Sequence, residues 1–248
     1  MEALSAEYEE VAYPEREMGI YTNEPNMANL VRNAIQTGFK LHAYDGYEYK
    51  NRDSVSAENI LKVIQNNPQD KFIIICGFAH NNEKLSRSLA SYLNQIAQIN
   101  PLTIDLTVYS EPESSSYYKE LLDYYHIEVP SVLTGPDNKQ VDMKNSSGRD
   151  LYVVFPHTKY VHGYPQWMIS PKENKFDSLK SSDYDVARVY IKEELTHIKS
   201  PVPYSFKYRN SDNMILVPLK DYIINFYRIK DEKLDLVESY DSSNTSPD

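Results

Sequence analysis

The chain is expected to be an α/β domain, a parallel sheet with flanking helices, followed by a smaller antiparallel β-rich module. Three observations predict this. Helical and strand-like patterns alternate from Pro25 to Tyr109, which implies parallel strands joined by right-handed crossovers. Phe72 to Cys76 is an unbroken apolar run, as in a parallel strand covered on both faces. Beyond Gly148 the pattern changes to short apolar or alternating runs separated by turn residues, the signature of antiparallel strands. The boundary is placed near Gly148, giving an α/β domain over 1–147 and a β-rich module over 148–248.

Each element has its own local reason. Glu24-Pro25 opens a helix with Pro in the first turn. Met27, Leu30, Val31, Ala34 and Ile35 form its apolar stripe, and Gly38 stops it. Phe39 to Tyr44 reads as a short strand. Arg52 to Gln65 is a second helix, with Val55, Ile60, Leu61 and Ile64 inward and Asp53 or Ser54 near its cap. Pro68 breaks the chain ahead of the strand that starts at Lys71. Glu83 to Gln98 gives a third helix and Pro101 to Tyr109 a third strand, with a short helix near Tyr117 to Tyr125. Val129 to Gly148 is rich in Pro, Gly, Asn and Ser. Strand-like runs follow at Leu151–Phe155, Ala187–Ile191, Met214–Pro218, Tyr222–Ile229 and Leu234–Val237, punctuated by turns such as Lys230-Asp231-Glu232.

Composition narrows the function classes. The 248 residues carry 26 Lys plus Arg against 36 Asp plus Glu, a formal charge of −10. Without a basic cluster, nucleic acid and anionic membrane surfaces are poor partners. A single cysteine, Cys76, excludes a disulfide framework or a cysteine-based zinc site within one chain. The acidic N-terminus lacks the order of a signal peptide, and no apolar stretch approaches a membrane span. As written, the chain is expected to be soluble and cytoplasmic.

The most informative stretch is KFIIICGFAHNNE, Lys71 to Glu83. Its apolar run ends in Gly77, which lets the backbone turn or a ligand approach. His80 and Glu83 then follow at the carboxyl end of the strand, where open α/β sheets bind ligands. Tyr44-Asp45 ends the preceding strand, and Arg52 starts the next helix in the same loop layer, suited to clamp a carboxylate or phosphate. Asp105, on the polar face of the third strand, needs a partner such as Arg52 or His80 to remain charged. His80 is suited to act as general base or metal ligand, with Glu83 or Asp45 orienting its other ring nitrogen. The bland alternative is a helix cap at His80, a Glu83 that favours the helix's positive end, and a structural Arg52–Asp105 pair. His157 and His162 flank a tyrosine-rich loop, and their spacing does not match a helical metal pair.

The run from Tyr21 to Thr107 resembles the second half of a TIKI/TraB, ChaN and erythromycin-esterase-like domain, in the version found in uncharacterised bacterial proteins. The matching residues are YTNEP (Tyr21 to Pro25), LVRNAIQTGFKLHAYD (Leu30 to Asp45), NRDSVSAENI (Asn51 to Ile60), GFAH (Gly77 to His80) and PLTIDLT (Pro101 to Thr107). The β-rich remainder is similar, more faintly, to the C-terminal extension of those proteins. Two α/β repeats share a cleft in that superfamily, whose members include metal-dependent peptidases, macrolide esterases and haem-binding proteins. Only one Gly-x-x-His box occurs here, and the earlier repeat has no counterpart before Tyr21.

The resemblance implies that His80 is a ligand or acid/base group and Arg52 a site arginine, with Tyr44, Asp45, Glu83 and Asp105 around them. It also implies a divalent metal with His80 as candidate ligand, and export if a signal lies upstream. The function expected is metal-assisted hydrolysis of an ester or amide in a small molecule or peptide. The alternatives are a non-catalytic protein binding a small ligand or haem through His80 or Tyr44, and an inactive truncated homologue.

Overall fold

Helix α1 (Pro25–Gln36) begins where expected: the Glu24 side chain accepts from Met27 N at 3.1 Å, with Pro25 in the first turn. Gly38, at φ +85°, ends it, and Phe39 N donates to Ala34 O. The face it buries differs from the expected stripe. Pro25, Ala28 and Arg32 are buried while Leu30 is exposed, because a charged partner waits for Arg32. Its guanidinium donates to both oxygens of Glu194, at 2.7 and 2.6 Å, and to Val202 O at 2.7 Å. The two side chains are only 4% and 1% exposed.

The computed structural model describes residues 13–19, 21–45, 50–111, 116–135, 148–179, 181, 183–210 and 212–244. Residues 136–147, just before the boundary expected at Gly148, lie outside them. The chain forms two compact units. One is Ala43–Thr158, and the other joins the residues up to His42 to Lys159–Asp248. This division differs from a single cut at Gly148 for two reasons. The Arg32–Glu194 pair ties α1 to the β-rich unit, and Leu151–Val154 pairs within the α/β unit.

In the first unit, α2 (Arg52–Asn66) and α3 (Leu89–Ala97) are followed by β1 (Ile104–Tyr109), α4 (Ser116–Tyr125), β2 (Ser131–Leu133) and β3 (Leu151–Val154). Ser88 caps α3 by accepting from Ser91 N at 3.1 Å, so this helix starts later than Glu83. The sheet is mixed, in the order β1-β3-β2: β1 and β3 run parallel, β3 and β2 antiparallel. Phe39–Tyr44 and Lys71–Cys76 form no ladder. Ile74, Cys76 and Tyr44 nevertheless pack against Ala57, Ile60, Leu89 and Leu93 of α2 and α3. Burial of Lys71–Cys76 is one-sided, with Ile73 75% and Ile75 54% exposed, which corrects the expectation of a strand covered on both faces. Tyr109, Tyr118, Leu121, Leu122, Tyr152 and Val154 form a second core around α4.

The second unit is antiparallel throughout its described strands. After the short pair β4 (Tyr160–Val161) and β5 (Tyr164–Pro165) come β6 (Asn174–Ser178), β7 (Val186–Ile191), α5 (Lys192–His197), β8 (Ser205–Tyr208), β9 (Met214–Pro218), β10 (Tyr222–Lys230) and β11 (Lys233–Asp241). The larger sheet has the order β11-β10-β7-β8, and β6 pairs with β9. Ala187, Val189, Leu216, Val217, Ile224 and Phe226 are among its core residues. Asp231 and Glu232 both take positive φ between Lys230 and Lys233, as a two-residue hairpin turn matched to strand twist requires. Among the described residues no helix is long and apolar enough to cross a membrane.

Arg32→Met alone strands Glu194 as a buried charge and is expected to cost about 3–5 kcal/mol. The double variant Arg32→Met/Glu194→Leu is expected to recover most of that loss. Chemical denaturation followed by circular dichroism checks both, and a double variant as unstable as the single one contradicts the account.

Candidate functional site

The first turn of α2 sets the site. Asp53, its acidic first-turn residue, sits where the positive end of the helix favours a carboxylate. From there it meets His80. Nδ1 of the imidazole lies 2.7 Å from Asp53 Oδ1 and 2.9 Å from Oδ2. The side chains are 33% and 17% exposed respectively. Nε2 has no hydrogen-bond partner among the described residues.

His80 owes this position to its loop. Its N donates to Gly77 O at 2.9 Å, and its carbonyl accepts from Ala90 N at 3.0 Å, so the loop is tied into the first turn of α3. A Cβ at Gly77 would stand 3.3 Å from His80 Cδ2. Glycine here gives the ring room to lie close to the backbone.

The other expected site residues sort themselves into separate partnerships. Arg52 donates from Nε to Asp45 Oδ1 at 2.7 Å and pairs through a terminal nitrogen with Oδ2. It therefore binds a carboxylate of its own chain. Tyr44 donates its hydroxyl to Ile75 O at 2.7 Å. Burial chiefly, and then the fields of Cys76 and Asp45, raise its phenol above the usual value. This suits a structural hydroxyl rather than a phenolate ligand for haem. Burial also pushes the Cys76 thiol up, with Asp53 adding and Arg149 opposing, so the thiolate that a nucleophile needs is disfavoured.

Glu83 and Asp105 stand elsewhere than expected. The carboxylate of Glu83 accepts from Thr103 Oγ1 at 2.6 Å, while Thr103 N donates to Asp150 at 2.9 Å. Glu83 also lines a shallow recess of about 270 Å³ with Ala90, Ser91, Asn94 and Gln95. Neither Glu83 nor Asp45 orients His80; Asp53 does. Asp105 is buried and pairs with Arg149, whose Nε lies 3.2 Å from Oδ2, rather than with Arg52 or His80. The Nε–H points to Asn81 Oδ1 at 2.9 Å. Asp105 Oδ2 is thus held by charge without a formed hydrogen bond, while Oδ1 accepts from Thr107 N and Oγ1, both at 2.8 Å, and from Val108 N.

Of the remaining histidines, His157 faces Glu111 at 3.2 Å and packs edge-on to Tyr118. His162 faces Asp212 at 3.0 Å and packs edge-on against Phe176. The divalent metal implied by the resemblance would need several converging donors. Nδ1 of His80 belongs to Asp53, and no group of three or more His, Cys, Asp or Glu side chains among the described residues is arranged to hold a metal. This donor set does not build a metal site.

Asp53 and Arg149 are the residues that sequence reasoning missed. Asp53 stands next to Arg52 in the first turn of a helix, where an acid has an ordinary explanation. A first-turn acid after one strand and a histidine after the next is the signal that pairs them. Arg149 carries no such signal, because its contacts lie about seventy residues away.

The Arg52–Asp45 pair is 44% and 53% exposed. Arg52→Ala is expected to change stability by less than about 1 kcal/mol, measured by chemical denaturation, and a larger loss would mean that Arg52 holds more than Asp45. No family model, curated protein or solved structure matches this chain, so the geometry of these side chains is what bears on function.

Proposed function

We propose that Asp53 and His80 form a general-base dyad acting on a small molecule or peptide, and that its chemistry is hydrolysis of an ester or amide. One observation carries the reading. Both oxygens of Asp53 lie within hydrogen-bond reach of His80 Nδ1, and Nε2 has no hydrogen-bond partner among the described residues. An ionised carboxylate only accepts, so Nδ1 carries the proton and Nε2 presents its lone pair.

In the reaction, Nε2 takes a proton from a water molecule as the water oxygen adds to the carbonyl carbon. Asp53 stabilises the imidazolium so formed. The same proton passes to the leaving alcohol or amine as its bond to carbon breaks, so one water is consumed and two products leave. The likeness of Tyr21–Thr107 to the TIKI/TraB, ChaN and erythromycin-esterase-like superfamily supports this reading. Kinship with that superfamily is part of the proposal. So is a parallel-sheet core in which the segments leading to Asp45 and His80 run beside β1, with β1 and β3 as its hydrogen-bonded parallel pair.

A second reading, a non-catalytic protein that binds a small ligand through His80 Nε2, is favoured by a different observation. Arg52 is engaged by Asp45 and Glu83 by Thr103. The polar groups nearest the dyad in sequence therefore already have partners, and one dyad without cooperating groups turns over little.

An ester and amide screen separates the two. His80→Ala and Asp53→Asn are each expected to lower turnover by about 10²- to 10⁴-fold. Turnover unchanged in both variants overturns the dyad. No turnover by the parent chain, with small ligands shifting the His80 ring signals in nuclear magnetic resonance spectra, supports the binding reading instead.

A further inference from the structure

The loop that presents His80 is held by two consecutive residues from far along the chain. Gly148 accepts from Glu83 N at 2.8 Å. Its φ is +70°, and a Cβ there would come within 2.7 Å of Asn82 Oδ1 and 2.8 Å of Lys84 N. Only glycine brings this backbone so close to the loop. Arg149 then reaches the stretch on both sides of His80. Its Nε donates to Asn81 Oδ1 at 2.9 Å, and a terminal nitrogen donates to Phe78 O. The charge is met by Asp105, 3.2 Å away, and both side chains are almost wholly buried.

A buried ion pair is a weak source of stability, and an apolar pair would fill the same space. What an apolar pair lacks is a planar fork able to donate to two acceptors while facing a carboxylate. Those acceptors are the carbonyl two residues before His80 and the side chain of the residue after it. We propose that Arg149, brought close by Gly148 and neutralised by Asp105, is a positioning residue that fixes the His80 imidazole against Asp53. The inference rests on the dyad reading. It assigns the buried pair to orientation of the ring, with no contact to substrate.

The test uses the full chain labelled uniformly with ¹⁵N. It reads the His80 ring nitrogen shifts, together with hydrogen exchange of the His80 and Ala90 amides. Two variants are compared with the parent. Arg149→Met/Asp105→Asn removes both charges, so no buried charge is stranded. Arg149→Lys keeps the charge opposite Asp105 and removes the fork. In the parent, the ring is expected to hold its proton on Nδ1. In both variants, with the fold intact by circular dichroism, the ring is expected to become a mixture of tautomers. Loop amide exchange is expected to rise by about tenfold or more, the mark of a local opening. Folded variants with the parent's tautomer and exchange overturn the inference. Should the double variant fail to fold, Arg149→Lys decides alone. A parent ring protonated on Nε2 sinks the dyad reading instead, and loop exchange in the variants still decides whether Arg149 clamps the loop.

Discussion

A guanidinium taken out of water must be met by a carboxylate and by hydrogen-bond acceptors, or the cost of desolvation is not offset. Each unit of this protein is organised around one such arginine. In the β-rich unit, Arg32 joins Glu194, Val202 and Asn29, and through it a helix from the start of the chain becomes part of a body built mostly from the end. In the α/β unit, Arg149 joins Asp105, Asn81 and Phe78, and through it the segment after Gly148 is fastened to the loop after Gly77. Both connections span long stretches of sequence. They decide where the units divide, because each brings a distant segment inside a contact-dense body.

Within the α/β unit, the acids that sequence places near one loop layer are shared out by local geometry. Asp45 and Arg52 lie on either side of a short connection and take each other. Asp53, one residue into α2, is turned toward His80. Glu83 follows the loop past His80 and reaches Thr103, and Asp105 faces inward to Arg149. Sequence proximity suggested Glu83 or Asp45 for the histidine. The backbone carries Glu83 away, since its N–H is held by Gly148 O, and Asp45 is already neutralised by Arg52.

Much of the secondary structure was legible. The helix expected over Arg52 to Gln65 is Arg52–Asn66, and the runs at Met214 and Tyr222 are strands with nearly the expected bounds. Those signals are local: caps, periodicity and turn residues. The face of α1 was not legible, because an apolar stripe loses to an arginine whose partner lies 162 residues away. Apolarity on both sides of Lys71–Cys76 was read as burial on both sides, yet only Ile74 and Cys76 face the helices, and Ile73 and Ile75 stay exposed. An apolar run reports which side chains tolerate burial and not which are covered. The turn after Gly77 was legible in GFAH, while the carboxylate that meets His80 depends on a tertiary contact.

Burial ranks three of the ion pairs described in this unit, which also holds the more exposed His157–Glu111 pair. Arg149–Asp105 is nearly dry, so a change of protonation there would leave a charge stranded; such a pair holds geometry. Arg52–Asp45 is about half exposed, and water screens it enough that it holds little. Asp53–His80 lies between. Its side chains are 33% and 17% exposed, so the carboxylate meets one ring nitrogen in a partly screened setting. Depth thus orders the three: Arg149–Asp105 lies innermost, Asp53–His80 is intermediate and Arg52–Asp45 is the most exposed.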